Sequence, residues 1–113
     1  MEYQIINIQK NLRDIFVNFF KQNGEKLILK SSDLNPLVYH KKTEQMTYIY
    51  KGKGILVLNS DKINISEGDL IIIPKKACHS FKSKSNELET YHIHWPLDFL
   101  ETDRYIEKNE VIL

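Results

Sequence analysis

Four histidines, His40, His79, His92 and His94, carry most of the chemistry this sequence offers. A neutral imidazole holds one donor and one acceptor, so such a set either ligates a divalent metal or hydrogen-bonds a polar molecule. His92 and His94 sit two apart in Thr90-Tyr91-His92-Ile93-His94-Trp95. In a strand that spacing puts Thr90, His92 and His94 on one face, opposite Tyr91, Ile93 and Trp95. The single cysteine, Cys78, adjoins His79. Neighbours on a strand point apart, so the two are not a nucleophile and its base, and Cys78 is assigned no chemistry. One cysteine also excludes an internal disulfide and suits a reducing compartment.

These side chains need a frame, and the chain supplies two kinds of element. After an extended start at residues 3–8, residues 11–22 place Leu12, Ile15, Phe16, Phe19 and Phe20 at the spacing of one helical face. This predicts an amphipathic helix, capped by Asn11 and ended by a left-handed stop at Asn23-Gly24. From Lys26 onward the helical period gives way to short β-branched and aromatic runs at 26–30, 37–40, 46–51, 54–58, 62–65, 69–73, 79–82 and 88–95, with a weaker one at 110–113. Turn residues such as Lys51-Gly52-Lys53-Gly54, Asn59-Ser60-Asp61 and Ser66-Glu67-Gly68 separate them, the pattern of an all-β sandwich or barrel. Residues 98–109 read as a charged, turn-like tail. The closing Val111-Ile112-Leu113 fits either a chain that continues or a terminal strand paired into a sheet.

Composition bounds the function. The 113 residues make one core, and 42% hydrophobic with 27% charged residues is the balance of a globular protein. Lys and Arg number 16 against 15 Asp and Glu, a net charge of +1, which leaves no broad basic face for nucleic acid. Apolar runs such as Leu70-Ile71-Ile72-Ile73 fall far short of the ~20 residues a membrane span needs, so the expectation is cytoplasmic, with no membrane partner.

Gly68-Asp69-Leu70-Ile71-Ile72-Ile73-Pro74-Lys75-Lys76-Ala77-Cys78-His79 resembles the second cupin motif, with Lys76 where the motif has glycine and Lys82 where asparagine often follows. Residues 38–52 resemble the first motif, with His40 at its second histidine, Gln45 at its acidic position, Gly52 closing the hairpin and Val38 replacing the first histidine. Together with Thr47 to Gly54 and Tyr91-His92-Ile93-His94-Trp95, these segments resemble the N-terminal, arabinose-binding-like sensing domain of AraC-family transcription regulators, over about residues 37–96. Trp95-Pro96 departs from that pattern, which ends in phenylalanine.

The resemblance implies an all-β fold: a cupin-type double-stranded β-helix, barrel or sandwich, with an N-terminal amphipathic helix. Residues 1–113 form one domain on this expectation, with 1–25 as an extension, 26–96 as the barrel and 97–113 as a tail. If Gln45 faces the lumen as the acidic residue does in related cupins, Thr47 and Ile49 follow it, and Met46, Tyr48 and Tyr50 face out. By the same alternation His79 carries Phe81 inward. The ligand-binding set so implied is His40, Gln45, Thr47, His79, Phe81, Thr90 and His92, holding a small polar molecule such as a sugar, with no catalytic residue and no cofactor. Metal-bearing cupins use two histidines, a carboxylate and a later histidine. Val38 offers no donor and an amide is a poor substitute for a carboxylate, so no metal is expected, though His92 or His94 is placed to replace the lost imidazole. Trp95 and Tyr91 read as core or interface packing. Tyr48, Tyr50 and Phe16 are expected at the surface and point to a homodimer. The implied function is non-enzymatic sensing, with DNA bound only by a domain absent from this chain. The alternative is a stand-alone cupin, either a metal-dependent dioxygenase or isomerase, or a binding protein.

Overall fold

Turn chemistry decides where this chain reverses. Gly52 and Gly68 take φ of 94° and 92°, a region open to glycine at little cost, and Asn59 (φ 54°) and Lys76 (φ 67°) join them there. Lys76 thus adopts the left-handed backbone at the position where the resembled motif has glycine. Its N–H donates to His40 O at 2.6 Å, closing the turn.

The computed structural model of the protein describes residues 3–31, 33, 36–96 and 103–108. The elements are β1 (Gln4–Asn7), a 3-10 turn (Lys10–Leu12), α1 (Arg13–Asn23), β2 (Glu25–Lys30), β3 (Leu37–Tyr39), β4 (Glu44–Lys51), β5 (Lys53–Leu58), β6 (Asp61–Ser66), β7 (Asp69–Ile73), β8 (His79–Ser83), β9 (Glu87–Trp95) and β10 (Tyr105–Lys108). They pair antiparallel into two five-stranded sheets, ordered β1-β7-β4-β9-β2 and β10-β3-β8-β5-β6. The all-β expectation holds. The inner faces meet over a core that includes Ile49, Leu56, Ile71, Ile73, Phe81 and Leu88, each at most 1% exposed. The weak strand expected at 110–113 lies outside the described residues.

Several expectations are corrected. Asn11 does not cap the helix; it sits in the 3-10 turn, where Leu12 N–H donates to Gln9 O. Gly24 is extended (φ −125°) rather than left-handed. A Cβ there would come within 2.3 Å of His92 O, so the glycine serves close approach to β9. The helix is also rotated from the expected face. Val17 and Phe20 are buried and Phe16 half-buried, whereas Leu12, Ile15 and Phe19 are exposed.

The buried helix stripe lies on the outer side of the first sheet, in a second cluster with Ile8, Tyr48, Tyr91 and Ile93. Tyr48 therefore points away from the lumen yet is only 1% exposed, with its ring 5.8 Å from Phe20 and 6.3 Å from Phe16. Of the three aromatics expected at the surface, Tyr50 is exposed, Phe16 half-buried and Tyr48 covered. Trp95 is 60% exposed and does not belong to the core. Finally, residues 105–108, read as tail, form β10 against β3, placing Tyr105 opposite Tyr39 with their rings stacked 5.4 Å apart.

Candidate functional site

Register across β4 and β9 pairs Gln45 with His94, Thr47 with His92 and Ile49 with Thr90. Val38 pairs with His79 across β3 and β8, and His40 follows β3 directly. All four histidines of the chain thus come to one place, each at most 8% exposed. Period-2 alternation is the reason: each of these strands turns every second side chain inward.

Gln45 is the hub. The end of its amide placed as Oε1 lies 3.1 Å from His40 Nε2, 3.0 Å from His79 Nε2 and 3.2 Å from His94 Nε2. The end placed as Nε2 lies 2.8 Å from both Thr47 Oγ1 and His92 Nδ1. Thr47 Oγ1 also lies 2.8 Å from His92 Nδ1, and His92 Nε2 stands 2.7 Å from Thr90 Oγ1. Among the described residues, no buried side-chain nitrogen or oxygen lacks a partner.

Two backbone carbonyls decide which nitrogens hold protons. His40 Nδ1–H donates to Asp103 O at 2.7 Å, and His79 Nδ1–H donates to Ala77 O at 2.9 Å. A neutral imidazole that donates from Nδ1 presents a lone pair at Nε2, so both Nε2 lone pairs aim at Gln45. Facing an amide oxygen they repel it; facing the amide nitrogen they accept its two N–H groups. The amide ends are nearly isosteric, and a half-turn about the last side-chain bond resolves the clash. Oε1 then accepts from Thr47 Oγ1–H and His92 Nδ1–H.

Burial keeps two of these imidazoles, His79 and His92, uncharged. It pushes His79 down to about 4; the bond to Ala77 opposes that, and His40, His94 and Arg104 add to it. Burial, followed by the neighbouring His79, His94 and His40, pushes His92 down to about 3. Both are neutral near pH 7.

Metal-bearing cupins hold an ion at the equivalent place, and the present arrangement does not fit one. Val38 contributes no donor, the acidic position is an amide, and among the described residues no three His, Cys, Asp or Glu side chains are placed to hold an ion. The Nδ1–H tautomers satisfy Gln45 by hydrogen bonding instead.

Beside the network opens a cavity of about 150 Å³. His40, Gln45, His79, Phe81 and His92 of the expected set line it. Thr47 and Thr90, both fully buried, do not; they stand behind the wall and orient Gln45 and His92. His94, outside the expected set, also lines the cavity, as its alternation with Thr90 and His92 allows. Leu27 and Val38 add apolar surface, and Glu25, Lys26 and Arg104 bring charge. No sequence signal singled out Arg104, which lies in the segment read as tail.

A family model described as "Cupin domain" matches residues 26–94, more than half of the chain. The uncharacterized protein MJ1618 of Methanocaldococcus jannaschii is 28% identical over 80 residues, covering 71% of this chain and 58% of that protein. Among solved structures, a salicylate 1,2-dioxygenase from Pseudaminobacter salicylatoxidans superimposes with a TM-score of 0.57 at 14% identity, covering 61% of this chain and 19% of the enzyme. The 11S globulin from Wrightia tinctoria, described as having an auxin binding site, gives 0.58 at 17% identity, covering 61% and 19%. The chain thus spans less than two thirds of the curated relative and about a fifth of these solved chains. At such identities the structural likeness shows the fold alone.

Proposed function

The chain belongs to the cupin domain family, and from that premise we propose that it is a non-enzymatic binding domain, holding a small hydroxyl-bearing molecule in its lumen as the sensing part of an AraC-type transcription regulator. DNA would be contacted by a domain outside this chain. The observation that carries the reading is the hydrogen-bonded set of His40, Gln45, His79 and His92 lining a cavity walled by Phe81, Val38 and Leu27. A hydroxyl that inserts between Gln45 and an imidazole accepts the amide N–H and donates to Nε2, and the aromatic face takes C–H groups, chemistry suited to a compact sugar or a similar polar molecule.

A sensor needs a route from ligand to partner. The hydrogen bond from His40 to Asp103 O and the position of Arg104 on the cavity wall supply one, because both residues lie C-terminal to the matched family segment. A ligand that prefers one arrangement of that segment shifts its population, which is what regulation requires. A homodimer is part of this proposal, with the exposed Ile15 and Phe19 of α1 as its apolar contact. Among the described residues no helix is long and apolar enough to cross a membrane, and a cytoplasmic location accompanies the regulator reading.

A stand-alone cupin enzyme is the second reading, favoured by the convergence of three imidazoles on one point. A thermal-shift screen of sugars, small acids and divalent metals separates the two, since a ligand bound only by the folded state raises Tm. The binding-domain reading expects stabilisation by a small polar molecule, weakened by His79→Ala or His92→Ala. A stoichiometric metal after chelator-free purification, with stabilisation by metal alone, would reject it.

A further inference from the structure

The cavity is polarised from end to end. Its deep end holds the Nε2 atoms of His40 and His79, made acceptors by carbonyls at their Nδ1 atoms and engaged by the Gln45 amide. Its rim carries Arg104 and Lys26 against the single carboxylate of Glu25. Lys26 is also engaged, 3.9 Å from Glu89 Oε1. Arg104 is exposed, yet its backbone is anchored. The Asp103 carboxylate accepts from Lys41 N–H at 3.2 Å, Lys42 N–H at 2.7 Å, Thr43 N–H at 3.0 Å and Thr43 Oγ1 at 3.1 Å. The positive charge of Arg104 is felt at the centre, where it adds to the effects that keep His79 neutral.

We propose that the lumen takes a small hydroxy acid: its hydroxyl inserts between Gln45 and an imidazole, accepting the amide N–H and donating to Nε2 of His40 or His79, and its carboxylate meets Arg104 at the rim. The inference rests on the reading of the lumen as a ligand site and adds the class of ligand. A guanidinium binds a carboxylate through two parallel N–H donors, whereas the deep end is an uncharged amide and imidazole set with no cation to pair with one. The ligand's orientation follows from that contrast. Leu27, Val38 and Phe81 cover the carbon skeleton, and a cavity of about 150 Å³ is of the size that accepts a benzene-sized group.

Isothermal titration of the full chain with lactate, 3-hydroxybutyrate and salicylate, each beside its neutral amide, and with arabinose tests this. At least one acid is expected to bind tenfold or more tightly than its amide. Arg104→Gln should reduce that acid to the affinity of the amide with Tm unchanged, because the side chain is exposed, and Arg104→Lys should retain part of the preference. Equal binding of acid and amide, or an acid affinity unchanged by Arg104→Gln, overturns the proposal. Binding of arabinose or the amides without the acids also overturns it while leaving the lumen site standing. If no compound binds, both readings fall.

Discussion

His40 Nδ1 stands 2.7 Å from the carbonyl oxygen of Asp103, a residue 63 positions further along the chain. That one bond fixes the tautomer of an imidazole in the lumen and ties the site to a segment beyond the matched cupin stretch. Burial works to raise the Asp103 carboxyl, but the hydrogen bonds from Lys42, Lys41 and Thr43 hold it below its ordinary value, so it remains an ionised acceptor.

Asp103→Ala removes that acceptor and leaves the N–H groups of the 41–43 turn without it. Hydrogen bonds to a charged group contribute about 1.5–3 kcal/mol, and a loss in that range is expected in urea denaturation. Ligand affinity should fall with it, since Arg104 loses its anchor. Unchanged stability would mean that the turn holds itself.

Gln45→Glu tests the network's logic. A carboxylate cannot donate to the Nε2 lone pairs of His40 and His79, so the metal-free variant should lose about 1–3 kcal/mol. It also recreates an acidic ligand among imidazoles. Zinc or manganese should therefore raise the Tm of the variant and leave that of the wild type unmoved. Equal stabilisation of both would show that Gln45 already offers its oxygen to an ion.

The pH dependence has a definite sign. His79 and His92, near 4 and 3 when folded, titrate near 6.5 when unfolded. Below 6.5 the unfolded chain binds protons that the folded chain refuses. The contribution is therefore intact above that pH and is lost as pH falls toward 4 and then 3. The slope is about 1.4 kcal/mol per pH unit for each histidine. Urea midpoints between pH 4.5 and 7.5 should show the decline, and Phe81, which faces His92 at 5.5 Å, should give no such slope of its own when varied.

Phe20 and Phe19 are neighbours with opposite fates, 2% and 52% exposed. Phe20→Ala opens the packing under α1 and should cost about 3–5 kcal/mol. Phe19→Ala should change monomer stability by less than about 0.5 kcal/mol and, on the dimer proposal, weaken self-association measured by sedimentation.

Much of this was legible because a strand has a period of two. Once Gln45 is placed inward, Thr47 and Ile49 follow; once His92 is, Thr90 and His94 follow, and the structure sets all of these in the interior. The helix was harder to orient. Leu12, Ile15 and Phe19 form one apolar stripe and Phe16, Val17 and Phe20 another, and spacing alone does not say which one meets a sheet. Tyr48 was misjudged for the same reason: facing away from the lumen means facing solvent only where no helix lies across that strand. Asp103 and Arg104 were illegible in a stronger sense: Asp103 acts through contacts with residues some sixty positions earlier and Arg104 by its place on the cavity wall, and local pattern carries no record of either.

All four histidines of the chain lie in this one cluster, so histidine signals report on the lumen alone. The most direct measurement is nitrogen-detected NMR of histidine-labelled protein at pH 7, titrated with whichever small molecule raises Tm. His40 and His79 should appear as Nδ1–H tautomers, and their Nε2 resonances should shift saturably with an affinity matching the thermal effect. A ligand that stabilises the fold while all four imidazoles stay unmoved binds elsewhere, and that result would contradict the lumen as the site.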